Sequence, residues 1–259
     1  LDRIEVLRGS ASMLFGRGST GGAVNQASKE PHLMDENQID VTVGSFDYKR
    51  LEADVNKVLG ESSALRLTAM HTKADNNGAG SSIDKSGLAL AVRTGIGMEH
   101  ELQAQVTYLN NRNGMNYGLP WLATGPNPED RVTLPGLKPT AYFGMASDYN
   151  HGTAGTLGLS HLWRIDGATE LKTQIRKGQY TRDQRASTIR FCGDLRGAGG
   201  VPVTNPACPT QGVTAGGAAV DASNFGPNTI FTRGTPLKIQ DMDTLYVQSD
   251  LSKKFEALG

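Results

Sequence analysis

Residues 37–75 read NQIDVTVGSFDYKRLEADVNKVLGESSALRLTAMHTKAD. Ile39, Val41 and Val43 alternate there with Asp40, Thr42 and Gly44. Leu51, Ala53 and Val55 alternate with Glu52, Asp54 and Asn56, and Leu65, Leu67 and Ala69 with Arg66, Thr68 and Met70. A period of two places the apolar and polar sets on opposite faces of a strand. Three strands are expected, joined at Phe46-Asp47 and at Gly60-Glu61-Ser62-Ser63.

The same period continues downstream. It recurs at Leu88, Leu90 and Val92, then at Leu102, Ala104, Val106 and Tyr108. Leu157 with Leu159, Leu171 with Thr173 and Ile175, and Leu245 with Val247, Ser249 and Leu251 complete about eight strands. The connections fall into two classes. Gly60 to Ser63, Gly97 to His100 and Asp166 to Ala168 are tight turns. The others lengthen along the chain, from Phe46-Asp47 through 75–84 and 113–153 to 189–236. Short turns on one rim and long loops on the other are the pattern of a transmembrane β-barrel. Long structureless loops are uncommon in compact domains unless they are functional. A soluble sandwich would show the same alternation, so the inequality of the loops is what favours the barrel.

Composition agrees with that reading. Only 37% of the 259 residues are hydrophobic and 32 are Gly, which suits strands and turns around a wet interior. The 26 basic and 26 acidic residues cancel, which gives no electrostatic case for nucleic acid as a partner. No run of about 18 apolar residues offers a transmembrane helix, but barrel strands need only about 10 residues each. The chain opens at Leu1-Asp2-Arg3-Ile4 without an initiator Met or a leader, and is read as an internal piece of a longer protein.

Residues 1–31 depart from the hairpin pattern. Ile4 to Leu7 forms a short strand, Gly16 to Gly22 a glycine-rich turn, and Ala23 to Ala27 a further strand. Ile4 to Asn25 matches, position by position, I-E-V-L-R-G-x-x-S-x-L-[FY]-G-x-G-x-x-G-G-x-[VI]-N, and so resembles the end of the plug domain in TonB-dependent siderophore receptors. Ser10 stands where that pattern usually has Pro. The resemblance implies a mainly β protein with residues 1–33 closing the plug. Residues 34–259 would then be the first eight or so strands of a large antiparallel transmembrane barrel in the bacterial outer membrane. Eight strands cannot close around a plug, so these alone would leave an open sheet.

The resemblance further implies uptake of a ferric siderophore, of the catecholate type, and no enzymatic activity. Iron would arrive only as the siderophore chelate, with no cofactor of the protein's own. The TonB-ExbB-ExbD energy-coupling complex and outer-membrane lipid would be the other partners. A receptor for a hydroxamate siderophore, cobalamin or haem, or a soluble all-β adhesin, is the alternative. Arg3, Glu5 and Arg8 are candidates for plug–barrel contact, with an ordinary solvated arginine as the competing reading of Arg8.

A ferric catecholate is anionic and aromatic, so its pocket calls for cations and ring faces. Tyr117 and Trp121 in the third long connection, and Arg176, Tyr180, Arg182, Arg190 and Phe191 in and after the seventh strand, are the candidates. Arg176, Tyr180 and Arg182 share the parity of Lys172 and Gln174 and should face the lumen. Two readings compete with this: Trp121 could anchor a loop mini-core, and the arginines could merely neutralise Glu52 and Asp54. Cys192 and Cys208 could close the last loop as a disulfide, worth about 3 kcal/mol in the chain-entropy model, or remain free thiols.

Other chemistry finds little support. Gly16 to Gly21 spells G-x-G-x-x-G, but strands rather than a helix follow it, which argues against dinucleotide binding. No Lys follows these glycines as a phosphate loop requires. His32, His71, His100, His151 and His161 have no metal-ligand spacing.

Overall fold

The structure, a computed structural model, describes residues 2–9, 21–75, 81–116, 118–119, 121–123, 131–133, 136–138, 140–190, 232–234 and 236–255. In chain order the strands are β1 (Arg3–Arg8), β2 (Gly22–Ala27), β3 (Glu36–Gly44), β4 (Tyr48–Gly60), β5 (Ser63–Asp75), β6 (Ser82–Thr94) and β7 (His100–Asn113). They continue as β8 (Trp121–Ala123), β9 (Arg131–Thr133), β10 (Tyr149–Arg164), β11 (Thr169–Arg185), β12 (Thr188–Arg190), β13 (Thr232–Gly234) and β14 (Leu237–Lys253). Eight of them form one antiparallel meander in the order β3-β4-β5-β6-β7-β10-β11-β14. The pairs β1-β2, β8-β9 and β12-β13 are separate two-stranded sheets.

The eight strands and their short and long connections fall where the alternation places them, with two differences. β10 begins at Tyr149, so the third long connection is shorter than the expected 113–153. The two longest connections also carry hairpins of their own, β8-β9 and β12-β13.

Register assigns every side chain to a face. One ladder row runs Leu67, Leu90, Val106 and Leu157, and the rows beside it add Leu65, Val92, Leu88, Tyr108 and Leu159. This face is uncovered: Leu157 is 51% exposed and Leu88 52%. An apolar surface of this extent is ill suited to water and is the kind that a barrel wall turns to lipid. At its short-turn end His100 stacks on Trp163 (5.6 Å) and on His161 (5.3 Å). Trp163 Nε1 donates to Glu99 Oε1 at 3.2 Å, a ring part apolar and part hydrogen-bonded at the height of a membrane interface.

The apolar band crosses the ladder obliquely. From Val41 the rows lead through Leu51, His71, Ser86, Asn110, Thr153 and Thr181 to Asp241. In β14 the apolar run Leu245, Val247 and Leu251 lies toward the short turns from there, past Asp243, with Leu237 and Ile239 on the same face at the long-loop end. A band that stays level in a bilayer while the rows climb across it requires tilted strands, as in a barrel wall.

The opposite face is polar, and the segment 28–35 lies against it, with Pro31 fully buried there. We call this the inner face. The first long-rim turn is Ser45 to Tyr48, where Tyr48 N–H donates to Ser45 O at 3.4 Å. Phe46 (φ 60°) and Asp47 (φ 54°) both adopt the left-handed conformation, which costs a side-chain-bearing residue roughly 1–2 kcal/mol. Phe46→Asn is expected to raise stability by about 0.5–1 kcal/mol, seen as a higher midpoint in thermal unfolding of the detergent-folded protein. A lower midpoint would mean that the Phe46 ring is held by contacts of its own.

Candidate functional site

The inner face has two chemically distinct ends. Near the short turns it is a network of paired charges. Arg66 donates side-on to Asp54, Nε to Oδ1 and Nη2 to Oδ2, both at 2.8 Å, and Lys29 pairs with the same carboxylate. Glu101, only 6% exposed, accepts from Arg93 Nε (2.6 Å), Arg164 Nη2 (3.0 Å) and the Gly97 N–H (3.3 Å). Farther toward the long loops, Glu52 is occupied by Arg50, whose Nε donates at 2.7 Å.

These pairs hold the segment that leads from β2 to β3. Arg66 Nη1 donates to Glu30 O (3.1 Å) and Arg93 Nη1 to Pro31 O (3.4 Å). Asn56, 1% exposed, donates from Nδ2 to His32 O and Met34 O, both at 2.7 Å, and accepts from His32 N–H at 3.1 Å. Asp35 closes the segment by accepting the Val58 N–H at 2.7 Å and pairing with Lys57. The Lys57 ammonium, with the Val58 N–H, holds the Asp35 carboxyl below the usual carboxylate range.

Toward the long loops the inner face changes character. One row runs Arg50, Thr72, Lys85, Asn111, Gly152, Arg182 and Gln240. The next row toward the short turns runs Glu52, Met70, Gly87, Leu109, Ala154, Tyr180 and Met242. A tier of cations and amides thus lies above an aromatic and apolar tier. Among the described residues, Arg182 bonds only to the neutral side-chain oxygen of Gln184. Arg176 lies two rows from Tyr180 on the same face. Among the described residues of β6, β7, β10, β11 and β14, no Asp or Glu shares the inner face from Arg176 to the long-loop rim.

Tyr180 is placed by a glycine. A Cβ on Gly178 would come within 2.8 Å of the Tyr180 ring and of Thr244 Oγ1, so the ring folds back over a position that must lack a side chain.

At the loop bases, Asp148 accepts from Met145 N–H (3.0 Å) and from the Ser187 N–H (2.9 Å) and hydroxyl (2.7 Å). It joins the start of β10 to the end of β11. Partial burial of this carboxyl opposes its ionisation, but the Met145 and Ser187 donors outweigh that and bring its pKa below the ordinary value. A depressed folded-state pKa gives stability that is complete above the unfolded value of about 4 and is lost as pH falls below it. Protection of the Ser187 amide, relative to the intrinsic exchange rate at each pH, should therefore fall below about pH 4, and Asp148→Asn should show the lower protection already at pH 7. Protection that does not change with pH would remove Asp148 as the tie.

The other expected residues are distributed as follows. Arg176, Tyr180 and Arg182 stand together on the inner face, and Arg176 and Arg182 bond to neither Glu52 nor Asp54, which are taken by Arg50 and by Arg66 with Lys29. Trp121 lies opposite Thr133 in β8 and Arg190 opposite Thr232 in β12, with side chains outside the described set. Tyr117, Phe191, Cys192 and Cys208 lie outside the described residues. Arg3 bonds to Glu5 (2.7 Å) and Asp2 (2.9 Å) within its own hairpin, and Glu5 also accepts from Asn25 Nδ2 at 2.8 Å. Arg8 lies opposite Gly22 in that hairpin. Asn56, Arg66, Arg93 and Glu101 are the wall residues that sequence reasoning missed.

No family model matches the chain. Over 195 residues, 75% of its length, it is 26% identical to the catecholate siderophore receptor Fiu of Escherichia coli, and this match covers 22% of Fiu. Over 211 residues, 72% of the chain, it is 26% identical to the probable TonB-dependent receptor BfrD of Bordetella pertussis, covering 28% of that protein. The crystal structure of the ferric-catecholate import receptor Fiu in its closed form superposes with a TM-score of 0.77 at 22% identity, over 98% of this chain and 34% of that one. The chain thus spans well under two thirds of the length of the relatives it matches.

Proposed function

We propose that this chain, by fold and sequence likeness a segment of a TonB-dependent receptor of the outer membrane, serves the uptake of a ferric siderophore of the catecholate type. The observation that carries the substrate class is the two-tiered inner wall. Lys85, Arg176 and Arg182 give positive charge with no carboxylate partner among the described residues, and Tyr180, Leu109, Met70 and Met242 give an apolar and aromatic tier beside it. A ferric catecholate complex carries several negative charges on aromatic rings. Guanidinium groups without a carboxylate partner favour the charge, and the ring faces favour the catechols. A neutral hydroxamate complex would draw on the second tier but gain little from the first.

The β1-β2 hairpin is then the end of the plug and the eight-stranded sheet the first part of the barrel, with the long loops outside the cell. Arg3, Glu5 and Arg8 would meet barrel strands other than these eight, and Tyr117, Trp121, Arg190 and Phe191 would extend the ligand wall upward. Energy would come from a TonB-ExbB-ExbD complex acting on the plug. The role is binding and transport of a chelate, without catalysis and without a cofactor.

The test is intrinsic fluorescence quenching of the full-length protein by a panel of ferric catecholates, ferric hydroxamates, haem and cobalamin. Submicromolar quenching by a catecholate, weakened by added salt, is expected. Saturable binding of cobalamin with no response to any iron chelate would overturn the substrate assignment.

A further inference from the structure

The segment Ser28 to Asp35 has no regular structure, yet its backbone is bonded like part of the wall. The carbonyls of Glu30, Pro31, His32 and Met34 each accept a hydrogen bond from a barrel side chain. Asn56 gives both of its amide hydrogens and its oxygen to this segment alone. Arg66 and Arg93 are themselves fixed from the far side by Asp54 and Glu101, so they cannot follow the segment if it moves. Peeling it away would leave several buried donors without partners, each costly on its own.

The bonding changes at Ser28. Ser28 is exposed and makes no hydrogen bond among the described residues. Before it, the side chains of β1 and β2 bond to one another: Arg3 to Asp2 and Glu5, and Asn25 to Glu5. Among the described residues, none of them hydrogen-bonds or ion-pairs with the sheet. Two differently anchored pieces therefore meet at one free residue.

We infer that residues 29–35 are a strap fixed to the inner wall, and that displacement of the plug hinges at Ser28, with Asn56, Arg66 and Arg93 as the positioning residues. This rests on the plug-and-barrel reading given above. A pull transmitted along the plug ends at the Lys29–Asp54 pair, and the wall of β4, β5 and β6 beneath the strap stays covered while the plug moves.

Hydrogen–deuterium exchange of the full-length protein in detergent, followed through a series of subdenaturing urea concentrations, tests this. The amide of His32, the strap N–H that donates to the wall, should exchange in step with β4 and β5, and amides of β1 and β2 at least about tenfold faster as urea rises. Exchange of His32 in step with β1 and β2 would overturn the strap, and β1 and β2 in step with β4 would overturn the hinge. Asn56→Asp keeps the size and the acceptor but loses both donors. It should speed exchange at His32 about tenfold, leaving the β4-β5 amides and ferric-siderophore binding unchanged. Wild-type protection in that variant would also sink the inference; Arg93→Gln, which frees Pro31 O, gives a second reading should Asn56→Asp fail to fold. An error in the receptor reading would show differently, as absence of siderophore binding in the same sample with the exchange pattern intact.

Discussion

Leu90→Arg should destabilise the detergent-folded full-length protein by about 2–4 kcal/mol, the cost of a cation at the midplane of a barrel's lipid face. Leu90 lies between Leu67 and Val106 in the middle of the apolar band, with no polar neighbour on its row for the guanidinium to reach. The height dependence is the more telling part. Thr94→Arg, on the same face near the short-turn rim, should cost only about 0–1 kcal/mol, because its guanidinium reaches the headgroup region. Gln174→Arg, on the inner face opposite Ser160 and Gln248, should stay within about 0.5 kcal/mol of the parent. Reversible urea unfolding in lipid vesicles measures all three. An equal penalty at Leu90 and Thr94, or a protein soluble without detergent, would mean that this face packs against protein in a dry core. The membrane reading would then fail.

The eight strands were legible because a face made for lipid favours an apolar residue at every second position, as in Ile39 to Val43 or Leu102 to Tyr108. β11, with Thr173 and Lys177 on that face, follows the rule least. The same reasoning explains what was hidden. Tyr149 to Thr153 is strand in the structure, yet His151 and Thr153 sit on the outer face above the apolar band. With water on both sides the alternation disappears while the hydrogen-bonded ladder continues. Strand ends outside the membrane therefore read as loop.

The site divides in the same way. Parity alone carried Arg176, Tyr180 and Arg182 to the inner face, because the β11 register runs from Thr169 to Arg185 against β14 without a bulge. Parity also puts Asn56, Arg66, Arg93 and Glu101 on that face, but it cannot say what they meet. Their partners are backbone carbonyls in Ser28 to Asp35, a stretch with no periodicity of its own, separated from Arg93 by about sixty residues of chain. Backbone acceptors leave no mark in a sequence. The pairing of Asp54 and Glu101 with short-turn-end arginines was equally invisible, although it decides that the arginines farther up are free of those acids.

That freedom sets the second large effect. Replacing Arg176 and Arg182 together by Ala should weaken binding of a ferric catecholate by about 100-fold, from the loss of two charge-assisted contacts each worth roughly 1.5–3 kcal/mol before partial compensation by Lys85. The protein should still fold and insert, since among the described residues neither side chain bonds to a carboxylate and Arg182 gives up only a contact with Gln184. Screening separates a true cationic wall from a merely shaped one. The parent's affinity should fall steeply between 50 mM and 500 mM salt and the double variant's much less, because fewer exposed charges remain to be screened. A neutral ferric hydroxamate, if it binds at all, should lose less than about threefold in the variant. Tyr180→Leu should lower affinity for both chelates alike, since it removes ring contact without touching charge. Unchanged catecholate affinity in the double variant, with unchanged salt dependence, would place the ligand away from this wall and return its recognition to the loops and the plug.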